Sequence, residues 1–144
     1  MANTKTCILK ITSNVINLDE SGKPDGAPEK DEFSVTGSLK TEKATTTVSY
    51  KEARDGSSVL CEITASGENV TVRRRGDVSC DMLFSQGEKY ETIYKVPPFS
   101  FDMEINTVRI DNSISEKNGV LSLIYDMTVG GAKKRCRMKI TRID

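Results

Sequence analysis

Val120-Leu-Ser-Leu-Ile-Tyr-Asp-Met-Thr-Val129, then Gly130-Gly131, then Ala132-Lys-Lys-Arg-Cys-Arg-Met-Lys-Ile140 is the stretch that decides the fold. Two alternating runs flank a Gly-Gly pair, the local signature of a two-residue β-hairpin. That turn sets Leu121, Leu123 and Tyr125 opposite Ile140, Met138 and Cys136 on an inner face. Asp126 meets Arg135 outside. One face is apolar and the other charged, so the hairpin is a wall with an interior side.

The same period of two recurs upstream. Residues 5–17 place Cys7, Leu9, Ile11 and Val15 on one face. After Leu18, the stretch to Lys30 is rich in Pro, Gly and acids and reads as a surface loop. A second strand over about residues 31–41 directs Phe33, Val35, Gly37 and Leu39 inward, and a third, Thr45 to Lys51, directs Thr46, Val48 and Tyr50 inward. With Ser66-Gly67 as a turn, Ile63 meets Val70, Cys61 meets Val72 and Val59 meets Arg74 on one face. Further strands run from Val78 to Ser85, with Cys80, Met82 and Phe84 inward, and from Tyr90 to Val96. Pro97-Pro98 end the latter, since neither donates to a ladder. Phe99, Phe101, Met103 and Ile105 follow at inward parity. The apolar parity then switches to Val108 and Ile110, which calls for a bulge near Asn106-Thr107. An Asn118-Gly119 turn would set Val108 and Ile110 opposite Val129 and Met127. About eight to ten short strands joined by tight turns make an antiparallel meander. It closes most readily into an all-β, up-and-down barrel, with a two-sheet sandwich as the alternative.

Composition narrows the functional classes. A chain of 144 residues, 36% hydrophobic and 29% charged, suits one globular domain spanning 1–144. Its 21 basic residues balance 21 acidic ones, so no global charge draws it to nucleic acid or to an anionic membrane. No apolar run is long enough for a transmembrane helix, and the N-terminal residues do not resemble a signal peptide. Histidine is absent, which removes Ser-His-Asp, Cys-His and His-ligated metal chemistry. Cys7, Cys61, Cys80 and Cys136 fall on inward positions without a CxxC pair, as buried reduced thiols in a cytoplasmic setting would. The expectation is a protein that is not an enzyme and needs no metal or other cofactor.

Val70-x-Val72-x-Arg74-x-Gly76-x-Val78, Phe84-x-x-Gly87 and Ile124-Tyr125-Asp126-Met127-x-Val129-Gly130 resemble the YwiB-like family, bacterial proteins built on a domain of unknown function. The resemblance runs from about Ile8 to Ile140. It implies a calycin-like (lipocalin-like) β-barrel in a bacterial cytoplasm. It transfers no catalytic residue.

Two candidate sites remain. Arg74 has inward parity among valines, where an unpaired charge would cost several kcal/mol. It therefore meets an inward carboxylate, several carbonyls or hydroxyls, water or an anionic ligand, unless it lies near a barrel end and reaches solvent. A small amphipathic ligand in the interior would draw on Arg74, Tyr125, Tyr94 and Tyr50, lined by Met127 and Phe101. The alternative is the outer basic stripe Lys133, Arg135, Arg137 and Lys139, a surface for a protein or nucleic-acid partner. The lack of interleaved aromatics there argues against nucleic acid. Neither reading sets an oligomeric state.

Overall fold

The computed structural model describes residues 3–54 and 56–143. Ten strands follow one another: β1 (Asn3–Leu18), β2 (Pro24–Glu42), β3 (Thr45–Arg54), β4 (Ser57–Ser66), β5 (Asn69–Gly76), β6 (Cys80–Ser85), β7 (Lys89–Val96), β8 (Phe99–Asn112), β9 (Val120–Val129) and β10 (Ala132–Ile143). They form a single antiparallel sheet in the order β6-β5-β4-β3-β2-β1-β10-β9-β8-β7. The first and last strands pair along their length, from Ile8 opposite Ile143 to Asn17 opposite Lys134. The remaining edges, β6 and β7, meet through a bridge between Ser79 and Lys95. The β6–β7 turn also bonds across to β8, where the Gly87 amide donates to the Thr107 carbonyl and the Thr107 amide to the Glu88 carbonyl. The result is a nearly closed barrel rather than a sandwich. Closure of this kind leaves few unpaired edge groups.

The hairpin that decides the fold has the expected register, with Leu121, Leu123 and Tyr125 opposite Ile140, Met138 and Cys136, and Asp126 opposite Arg135. Gly130 and Gly131 both have positive φ, 56° and 85°, as the tight turn requires. The core is the set of inward residues drawn from every strand. Leu9, Leu39, Val48, Ile63, Val70, Phe84, Ile105, Leu121, Leu123 and Ile140 are essentially inaccessible.

Several expectations need correction. The stretch 18–30 is not a long loop: β1 runs to Leu18 and β2 begins at Pro24. The Asp19 carboxylate accepts bonds from the Ser21 and Lys23 amides, which tightens the turn between them. Residues 24–30 are exposed, with Pro24, Asp25, Glu29 and Lys30 paired to β1, so no hydrophobic period marks them. A register shift between Val15 and Asn17 accommodates Gly26-Ala-Pro28. The β4–β5 pairing is offset by two residues from expectation. Ile63 faces Val72, Cys61 faces Arg74 and Val59 faces Gly76, because the turn residues are Gly67-Glu68. An even offset leaves every side chain on its expected face.

The bulge in β8 stands where the parity switch places it, between Thr107 and Arg109. Val108 itself is the extra residue and is 47% exposed, against the inward position that its parity predicts. Asn118-Gly119 is not a two-residue turn. Residues 113–119 form a wider cap in which Ile114 is fully buried, and Ile110 faces Leu123 rather than Met127. Ser113 donates its amide to the Val120 carbonyl, and its hydroxyl accepts the Val120 amide. Phe99 and Phe101, expected inward, are 64% and 40% exposed. The pairing of β8 with β9 stops at Met103 opposite Val129, so the β8 side of the β7–β8 hairpin tip at Phe99 and Phe101 extends past β9, while Tyr90 and Tyr94 on β7 still pack against the core. The Phe99 and Phe101 rings stack on each other, 6.4 Å apart.

Candidate functional site

Inside the barrel, one cross-strand row runs Tyr50, Cys61, Arg74, Cys80 over β3, β4, β5 and β6. Arg74 is not left to a ligand. Its Nη2 donates to Oε2 of Glu52 at 3.3 Å, and each of the two side chains keeps about a quarter of its surface exposed, at 25% and 24%. Glu52 shares the inward parity of Tyr50. The expected end of the third strand at Lys51 stops one residue short of it. Tyr125 faces Cys136 across β9 and β10 and packs its ring 4.7 Å from that of Phe84. Burial, first of all, pushes the Tyr50 and Tyr125 hydroxyls well above their ordinary range. Burial also pushes the Cys136 thiol up to about 11 and raises that of Cys80, against the pull of Arg74. These groups are neutral at physiological pH. Among the described residues, no buried side-chain nitrogen or oxygen lacks a hydrogen-bond partner.

The other interior candidates are dispersed. Tyr94 pairs with Phe101 on β8, and the antiparallel Ser79–Lys95 bridge sets it across from Cys80, at the far end of the Tyr50 row. Met127 lies half-buried between Ile105 and Lys134. Arg142, at inward parity near the C-terminus, is 4% exposed. Its Nη1 donates to the Ile114 carbonyl at 2.9 Å, and its amide donates to the Gly119 carbonyl. It fastens the 113–119 cap to β10.

Outside, the stripe on β10 is as the alternation places it, but its members differ. Arg135 makes a bidentate pair with Asp126, Nε to Oδ1 at 2.7 Å and Nη2 to Oδ2 at 3.0 Å. Arg137 and Lys139 are exposed and line a shallow trough of about 690 Å³ across β2, β1, β10, β9 and β8. Two transverse rows line it. One runs Lys30, Asn14, Arg137, Ile124, Arg109 and the other Glu32, Thr12, Lys139, Ser122, Asp111. Glu32 is taken by Lys10 at 3.1 Å and Asp111 by Arg109 at 2.9 Å. Among the described residues, Lys30, Arg137 and Lys139 have no such carboxylate. Short side chains, Thr12, Ser13, Asn14 and Ser122, stand among long charged ones. Lys30 and Arg109 escape the sequence pattern because the first sits in an apparent loop and the second follows the bulge.

Fold and site together define a nearly closed ten-stranded antiparallel barrel with a satisfied interior and a partly unpaired cationic trough outside. The chain belongs to the family described as Domain of unknown function (DUF1934), whose model matches residues 8–140. It is 30% identical over 106 residues to the "Uncharacterized beta-barrel protein YwiB" of Bacillus subtilis (strain 168), covering 74% of this chain and 75% of that one. The crystal structure of the ywiB protein from Bacillus subtilis superposes with a TM-score of 0.76 at 24% identity, over 98% of this chain and 96% of that one. A bacterial β-barrel of this family is thereby established.

Proposed function

We propose that this protein is a non-enzymatic binding module that works from its outer face, through the trough on β2, β1, β10, β9 and β8. The single observation that carries the reading is charge accounting. Among the described residues, Lys30, Arg137 and Lys139 are cations without a paired carboxylate, gathered where Glu32 and Asp111 are already paired with Lys10 and Arg109. An anionic partner supplies the missing charge.

The interior reading is weaker. A ligand carboxylate would have to displace Glu52 from Arg74, and the Tyr50 and Tyr125 hydroxyls are already engaged with the Cys61 and Cys136 thiols. A calycin-like barrel with a liganded interior would leave polar groups waiting for the ligand. A protein partner fits the trough better than a nucleic acid does. Glu32 and Asp111 would repel a continuous phosphate backbone, and Ile124, rather than an aromatic ring, lies between Arg137 and Arg109. Charges spread over the outward positions, such as Lys10, Glu32, Arg73 and Arg135, are unlike the apolar band of a membrane barrel. The reduced, buried thiols suit a cytoplasmic protein.

The test is fluorescence anisotropy with labelled poly-L-glutamate at low ionic strength, beside single-stranded DNA and RNA pools. The expected result is salt-sensitive binding of polyglutamate that falls at least tenfold in Arg137→Glu. Indifference of wild type and variant to every polyanion would overturn the reading.

A further inference from the structure

The geometry points to an extended acidic peptide segment as the occupant of the trough, lying across the strands with acidic residues three positions apart, one on Lys30 and the next on Arg137. This rests on the reading of the trough as an anion-docking surface. It adds the partner's conformation and spacing.

The spacing follows from the sheet. Lys30 pairs with Asn14, and Asn14 with Arg137, so the two cations stand two strands apart, about 9.6 Å at ordinary strand separation. Two anionic groups that meet both must share one face of the ligand at that distance. In a polyproline II segment, three residues make a turn and rise about 3.1 Å each. Positions i and i+3 therefore point the same way about 9.3 Å apart. Positions i and i+2 are closer by a third and point elsewhere. Positions i and i+4 are too far apart and rotated by a third of a turn. A helical ligand covers a similar distance only between i and i+7, about 10.5 Å apart on nearly one face, so it predicts a spacing of seven rather than three.

The backbone of the trough points the same way. Its floor is made of interior strands of the sheet, whose amides and carbonyls are committed to the β2–β1, β1–β10, β10–β9 and β9–β8 ladders. It offers no free edge for a partner strand to join. A polyproline II segment requires no ladder, since its backbone stays solvated. The floor suits such a chain: Asn14 lies between the two cations to donate to a backbone carbonyl. Beyond Arg137, Ile124 gives the chain an apolar surface. Arg109 closes the row but is held by Asp111, so it ends the site rather than adding a third anchor. Lys139, two residues along β10 from Arg137, adds positive potential without setting the spacing.

The experiment uses three fluorescein-labelled peptides on a common proline-rich frame, carrying two glutamates at i and i+2, at i and i+3, or at i and i+4. Anisotropy titrations on the full chain are compared with Lys30→Glu, Arg137→Glu and the remote exposed Lys51→Glu, each checked for folding by circular dichroism. The i, i+3 peptide is expected to bind at least fivefold tighter than the other two. Lys30→Glu should erase that preference, while Lys51→Glu leaves it unchanged. Equal binding of all three peptides, lost in Arg137→Glu, would overturn the spacing and keep the anion-docking surface. Absence of binding by all three together with polyglutamate would overturn both. Tighter binding of a single-stranded nucleic acid than of any peptide would overturn the choice of partner.

Discussion

Arg74 illustrates how much one inward charge can say. Its parity alone demands a partner, because an unpaired guanidinium among valines is costly. The partner is Glu52, on β3, two strands away in the sheet. Because both side chains keep about a quarter of their surface in solvent, water screens the pair and its net worth is modest. In a double-mutant cycle by urea denaturation, Glu52→Gln and Arg74→Met should couple by about 1–2 kcal/mol. Additive effects of the two substitutions would show that the pair is not an energetic unit. The charge and the kind of partner are thus legible in single residues. Glu52 itself is missed only because the alternation ends the strand one position early.

At the scale of elements, the strands with strict alternation were legible and the two irregular connections were not. The β9–β10 hairpin carries its turn type and register in its own residues. The 113–119 segment does not, because Asn118-Gly119 has the local chemistry of a tight turn. What overrides it is burial of Ile114 and the grip of Arg142 on the cap. Gly119 is required there for space rather than for φ. An added Cβ would overlap the carbonyl oxygens of Ser113 and Glu116, which are backbone and cannot rotate away. Gly119→Ala should therefore lower stability by about 2–4 kcal/mol, as overpacking does. Gly22→Ala, in an open turn, should cost about 1 kcal/mol through its positive φ alone. Urea midpoints rank the two, and equal losses would count against the cap as a packed element. The trough was half legible. Arg137 and Lys139 follow from alternation on β10, while Lys30 enters only through pairing in a segment with no apolar face.

The whole barrel sets the behaviour of its thiols. Cys7, Cys61, Cys80 and Cys136 are all buried and none is in a disulfide. Burial holds the thiols of Cys80 and Cys136 in their protonated form. A thiol pKa raised in the folded state means that the folded protein keeps its proton where the unfolded chain has lost it. That contribution to stability is complete below the unfolded value near 9 and is lost as pH rises toward 11. For Cys136 it amounts to about 2–3 kcal/mol, because each tenfold gain in proton affinity on folding is worth about 1.4 kcal/mol. Urea midpoints should fall between pH 9 and 11, and Cys136→Ala should flatten that fall. A slope unchanged by the substitution would assign the alkaline loss to other groups.

By itself the sequence determined the strictly alternating strands and their faces within the barrel body, the hairpin register of β9 and β10 and the bulge in β8. All of these are local consequences of a two-residue side-chain period and of turn chemistry. Only the tertiary structure decided the pairing of β1 with β10, the near closure between β6 and β7, the plug at Ile114, the Glu52–Arg74 pair and the meeting of Lys30 with Arg137. Each of these joins residues distant along the chain. A period along one strand specifies which way a side chain faces but not which strand lies beside it, and that adjacency turns single charges into a pair or a site.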